Sequence, residues 1–362
     1  MRAARRLGAL LRWPSQPLLR HLAFAVLAGI ACYGLSVSVS DFANSEIATV
    51  ALFAVAIAGL SMLTGGTGQL SLGHGALMAV GAYAYAELEL HNPHVPLSVG
   101  LLVAVGAAAV AGGVLGVAAA RLRGPYLAGV TLALALVAPQ LADHFFNSDQ
   151  GIPVGLTPPA SVESNHWLAW IALTCALVIF VLLANLRRSR FYRSFTAVRD
   201  DEIAASLAGI SVARTQILAF VLSAACAGLA GALLAIADLG ATSGLFPLTL
   251  SVQLVAGMVI GGIGSLVGAV WGAVLVVYIP IWLDDIVNSP SSTLAANLPQ
   301  AVFGLLIVLV ILLVPGGIQG ALRRGITVAR GRIARAGKPG RAPTTSPGAG
   351  DTVTEVASMD GG

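Results

Sequence analysis

Two stretches of this chain place glycines where they interrupt apolar sequence. Met62-Leu-Thr-Gly-Gly-Thr-Gly-Gln-Leu70 and Met258-Val-Ile-Gly-Gly-Ile-Gly-Ser-Leu266 share the pattern M-x-x-G-G-x-G-x-L at an offset of 196 residues. A glycine costs up to about 1 kcal/mol against alanine inside a helix, so three together point to positive φ or to close backbone approach. Irregular backbone at membrane depth is tolerated where it is buried in protein or lines a cavity. Gly65, Gly66, Gly68, Gln69, Ser71 and His74, with Gly261, Gly262 and Gly264 in the second stretch, are therefore candidates for a translocation path. A tight turn with close glycine packing is the other reading, and the sequence leaves both open. His74 has no second histidine at metal-ligand spacing and reads first as a hydrogen-bonded packing residue.

The second feature is charged. Residues 187–215 read RRSRFYRSFTAVRDDEIAASLAGISVART. Asp200, Asp201 and Glu202 suit a helix N-terminus, where the dipole favours negative charge. Ile203, Leu207 and Ile210 follow at helical spacing, and Gly209 offers a stop. The pattern predicts a short amphipathic helix over 200–209, either resting on a membrane surface or presented to a protein partner.

Other chemistries lack their groups. The only lysine, Lys338, precedes Pro339, so no P-loop can reach a nucleotide phosphate. No HExxH or GxSxG run is present, and no enzyme activity or cofactor is expected. An ionisable group at membrane depth costs about 2.5 to 3.5 kcal/mol and survives there for function. None falls near the centre of an apolar run; Glu87, Glu89, Asp143, Asp238 and Asp284 fall at run ends and are expected to be solvated rim residues. Cys32, Cys175 and Cys226 sit singly in apolar sequence and read as small buried hydrophobes.

The elements that must hold these residues follow from composition. Of 362 residues 57% are hydrophobic and only 10% charged, against roughly 25% charged in a soluble domain. The apolar runs are long enough for helices that cross about 30 Å of hydrocarbon. They predict an all-α, polytopic membrane bundle of about ten helices near 21–40, 47–64, 74–90, 97–119, 126–142, 167–185, 216–237, 248–262, 265–283 and 299–315. With a cytoplasmic N-terminus, all 20 Lys and Arg fall on the inner side, which satisfies the positive-inside rule with both termini inside. The apolar core at 22–39 is longer than a signal-peptide core of about 7 to 15 residues and is expected to be retained. The organisation expected is a basic segment at 1–20, a membrane domain at 21–320 containing the charged loop, and a basic then low-complexity cytoplasmic tail at 321–362.

Several runs resemble one family. Glu202-Ile-Ala-Ala-Ser-Leu-Ala-Gly209 is similar to the Glu-Ala-Ala...Gly loop of bacterial ABC importer permeases, and residues 191–233 as a whole resemble the branched-chain amino acid permeases among them. Gly68, Gln69, Ser71, Leu72, Gly73 and His74 match that family's Gly-Gln-x-Ser-Leu-Gly-His run, and residues 261–273, GGIGSLVGAVWGA, resemble a third hallmark. The resemblance implies a type II-like permease subunit in a bacterial inner membrane, paired with a second, related permease, two cytoplasmic ATPases and an extracytoplasmic solute-binding protein. It implies lipid contact and no nucleic-acid partner. It also carries over Asp201, Glu202, Ala205 and Gly209 as ATPase-coupling positions. The outer loop reads NSDQGIPVGL at 147–156 where the family shows Thr-Gly-Gly-x-x-Gly. The solute is thus expected among branched-chain amino acids first, with urea, short amides and other small amino or organic acids as alternatives. A self-contained secondary transporter, with sodium held by backbone carbonyls, is the rival function.

Overall fold

The computed structural model describes residues 38–122, 125–146, 151–156, 158–159 and 163–287, with single positions or short pieces at 29, 33–34, 36, 304–305 and 317–322. The described residues are overwhelmingly helical. In chain order they form α1 (Asp41–Thr67), α2 (His74–His91), α3 (Leu97–Ala119), α4 (Pro125–Phe146), β1 (Ile152–Pro153), α5 (Ser164–Leu186), α6 (Arg190–Asp200), α7 (Glu202–Leu207), α8 (Val212–Ala237), β2 (Gly240–Ala241), α9 (Leu248–Gly261) and α10 (Leu266–Val287). Six stretches among them are long and apolar enough to cross a membrane: α1, α3, the Tyr126–Phe145 part of α4, α5, α8, and Ser243–Gly261, which comprises a short 3-10 turn and α9. α2 carries Glu87 and Glu89 near its end, and the apolar part of α10, Leu266–Trp282, is shorter.

Eight of the ten expected helices therefore have counterparts, and six qualify as spans. The expected helix at 299–315 and most of that at 21–40 lie outside the described residues, as does nearly all of the tail at 321–362. α1 starts earlier than 47 because Ser40 caps it, its Oγ accepting from Ala43 N at 3.4 Å. The charged loop differs more. One helix over 200–209 was expected; two are found, and Asp200 ends the first of them.

α1 and α8 are the mostly buried pillars, whereas α3, α4 and α5 leave most of their surface exposed, as lipid-facing helices do. α1 packs against α5, α8, α9 and α10, and α8 against α1, α2 and α3. Between apolar helices in lipid no hydrophobic force drives contact, so small residues that allow close backbone approach hold the bundle. Gly231 of α8 lies against the Met78 carbonyl of α2, and Gly257 and Gly261 of α9 meet Gly272 and Gly268 of α10. At one end of the bundle β1 and β2 pair antiparallel, Ile152 with Ala241 and Pro153 with Gly240, tying the loop after α4 to the end of α8.

Candidate functional site

The two glycine motifs, far apart in sequence, touch. Gly65 packs on the Gly264 backbone so closely that a Cβ on Gly65 would overlap it, and Gly264 N donates to Ser61 Oγ at 2.9 Å. The breaks are shorter than the motifs. Gly65 and Gly66 remain in α1, and the helix ends at Gly68, whose φ of 74° is the left-handed cap that glycine accepts without strain. Gly261 likewise ends α9, and the chain turns through Gly262 and Gly264 with φ of 111° and 75° before α10. Both turns thus combine positive φ with close packing, the two reasons for glycine that the sequence permitted.

Polar residues follow the first break. Ser71 and His74 are fully buried, and each His74 ring nitrogen has a hydroxyl partner, Ser71 Oγ at 3.2 Å and Ser223 Oγ at 2.7 Å. Leu72 N donates to Thr131 Oγ1 and Gly75 N to Ser251 Oγ, each at 3.0 Å. The start of α2 is therefore held by hydroxyls from α4, α8 and α9. This agrees with the packing role expected of a lone histidine. Gln69 is different: its Oε1 is buried without a hydrogen-bond partner among the described residues.

The charged loop lies directly over these breaks. Phe195 and Val198 of α6 are buried, and Gly66 has Phe195 and Tyr192 as its neighbours. Asp201 caps α7, its Oδ1 accepting from Ile203 N at 2.8 Å and Ala204 N at 3.0 Å, which is worth about 1 kcal/mol. Glu202 Oε1 accepts from Gln216 Nε2 of α8 at 3.1 Å. Gly209 N bonds Ser206 O and Ile210 N bonds Ala205 O, both at 3.0 Å, and Gly209 has φ of 82°. That pair of bonds is the Schellman stop of a helix.

All four positions carried over by resemblance therefore build or anchor α7. Asp201 starts it, Glu202 ties it to α8, and Ala205 is buried against the chain itself. Gly209 ends it on open space. The large apolar side chains that α7 presents outward are Ile203, 74% exposed, and Leu207, 84% exposed, one helical turn apart. The periodicity of the sequence marked both as the apolar face; the resemblance did not select them.

Elsewhere, Glu89 corrects an expectation. It is no solvated rim residue, since Oε1 accepts from Gly155 N at 2.9 Å and Oε2 is buried. Asp41, Glu163 and His166 bring one ligand atom each within 4.8 Å of one another. His166 Nδ1 lies 3.5 Å from Asp41 and 3.4 Å from Glu163, distances that an ion pair satisfies when the imidazole is protonated. The cluster joins the N-terminal ends of α1 and α5.

Residues 43–314 match the family described as branched-chain amino acid transport system / permease component. The high-affinity branched-chain amino acid transport system permease protein LivM of Salmonella typhimurium is 30% identical over 199 residues, 47% of each chain. LivH of Escherichia coli K12, a permease protein of the same named system, is 31% identical over 162 residues, 44% of this chain and 49% of the relative. The autoinducer 2 import system permease protein LsrC of Klebsiella pneumoniae is 36% identical over 152 residues, 36% of this chain and 43% of the relative. The chain thus spans about half the length of the curated relatives it matches. No solved structure matches it.

Proposed function

Because the chain belongs to the branched-chain amino acid transport permease family, we propose that it is the membrane permease subunit of an ATP-driven importer, with α7 as the helix that docks a cytoplasmic ATPase. The observation that carries this reading is the outward face of α7. Ile203 and Leu207 are too exposed to serve the fold, and an apolar i, i+4 pair on a short capped helix suits insertion into a protein groove. Energy must then come from another chain, since this one has no P-loop. It catalyses no reaction of its own and needs no cofactor.

The proposed topology is ten crossings, with both termini on the cytoplasmic side of a bacterial inner membrane. The partner set is a second, related permease, two ATPases and an extracytoplasmic solute-binding protein. Branched-chain amino acids are the proposed solutes, in line with the named role of LivM and LivH. The path runs beside the paired breaks at Gly65, Gly66, Gly68, Gly261, Gly262 and Gly264. Gln69 is its polar lining, while Ser71 and His74 brace the start of α2 behind it.

Affinity purification of the tagged permease from its host membranes tests the docking role. The wild-type protein is expected to bring down a P-loop ATPase. Leu207→Asp is expected to lose it at unchanged membrane abundance, by about 2 kcal/mol or roughly thirtyfold in affinity. Equal ATPase recovery with both proteins contradicts α7 as the docking helix, and absence of any ATPase from the wild-type complex contradicts the importer.

A further inference from the structure

Arg199, the last basic residue before α7, reaches back to the end of α1. Its Nη1 donates to the Gly65 carbonyl at 2.8 Å, while Nε and Nη2 both donate to Asp200 Oδ1 at 3.0 and 2.8 Å. Gly65 lies in the last turn of α1, where carbonyls lack intrahelical donors and the dipole favours a cation. The side-chain stem crosses Gly68, on which a Cβ would stand 3.1 Å from Arg199 Cγ. Gly68 thus serves twice, giving the left-handed turn and leaving room for the arginine. On its other side Gly65 abuts Gly264. One guanidinium therefore spans from the residue preceding the Asp201 cap of α7 to the point where both glycine motifs meet.

We infer that Arg199 is the positioning residue that carries a displacement of α6 and α7 to the paired glycine breaks. The inference rests on the reading of α7 as the ATPase-docking helix. Phe195 and Tyr192, packed against Gly66, resist compression and so carry a push from α6 toward α1. Contact alone cannot carry a pull. Arg199 supplies that direction, because its hydrogen bond to Gly65 must stretch before the hairpin separates from α1. The planar fork lets one side chain hold Gly65 with one nitrogen and Asp200 with two others, which the single ammonium of lysine cannot reproduce.

The test uses the complex purified with its ATPases, the three native cysteines replaced, and Leu70→Cys as a reporter. Leu70 is exposed and lies two residues past the Gly68 turn. Its rate of reaction with a maleimide is measured with and without ATP plus vanadate. With Arg199 present the rate is expected to change about fivefold or more, and with Arg199→Ala by less than about twofold, ATPase binding and hydrolysis being retained. Arg199→Lys should recover part of the response. The same nucleotide response in Arg199→Ala overturns the inference and leaves the docking reading intact. A parent complex that binds no ATPase overturns the docking reading and the inference with it. If Arg199→Ala fails to accumulate, Arg199→Met, which keeps the aliphatic stem over Gly68 and has no N–H donor, is measured instead, with the same response below about twofold expected. Failure of both to accumulate makes Arg199 a structural cap and also overturns the inference.

Discussion

Gln69 and His74 lie five residues apart beside one helix break and have opposite surroundings. Both His74 nitrogens are bonded, whereas Gln69 Oε1 is buried with no partner among the described residues. An orphaned buried acceptor costs about 1 to 3 kcal/mol, a loss the fold gains nothing from. If Gln69 serves a passing solute, Gln69→Ala should slow uptake severalfold while the melting temperature of the purified complex holds or rises. Normal uptake by the variant would make the break a turn and nothing more. Part of this contrast was legible in the sequence, because a lone histidine beside small polar residues is more often bonded than free. Its chief partner was not, since Ser223 lies 149 positions away on another helix. No local pattern marks such a pair.

At the scale of elements, hydropathy located the long helices well and the charged loop poorly. α3 was expected at 97–119 and runs Leu97–Ala119, because Pro96 precedes it and the apolar run ends just before Arg121. The loop hid α6, since its buried residues, Phe195 and Val198, sit among arginines that dominate its composition. The likeness of the two glycine motifs was visible in sequence, but not that Gly65 and Gly264 touch. The order of helices also fixes which loops share a side. His94, exposed between α2 and α3, and Ser206, exposed on α7, should lie on opposite sides of the membrane. In a cysteine-free background, an impermeant thiol reagent applied to intact cells is expected to label His94→Cys and spare Ser206→Cys. Labelling of both would break the proposed topology, and the reverse pattern would invert it.

For the whole molecule, the proposed function puts the source of energy outside the bundle and the route within it. The bundle keeps α1 and α8 inside, exposes α3, α4 and α5 as a lipid-facing surface would require, and holds the glycine breaks under α6. α7 is anchored to it by Ala205 and Glu202 and leaves its apolar face, Ile203 and Leu207, uncovered. A permease driven from outside needs a surface on which the driving chain can act, and the apolar face of α7 is the one proposed here. The most direct measurement is therefore uptake of radiolabelled leucine into proteoliposomes that hold the purified complex, with the solute-binding protein supplied on the outside. Accumulation is expected only when ATP is enclosed within, and a sodium or proton gradient should not replace it. Leucine uptake driven by either gradient without ATP would contradict the account.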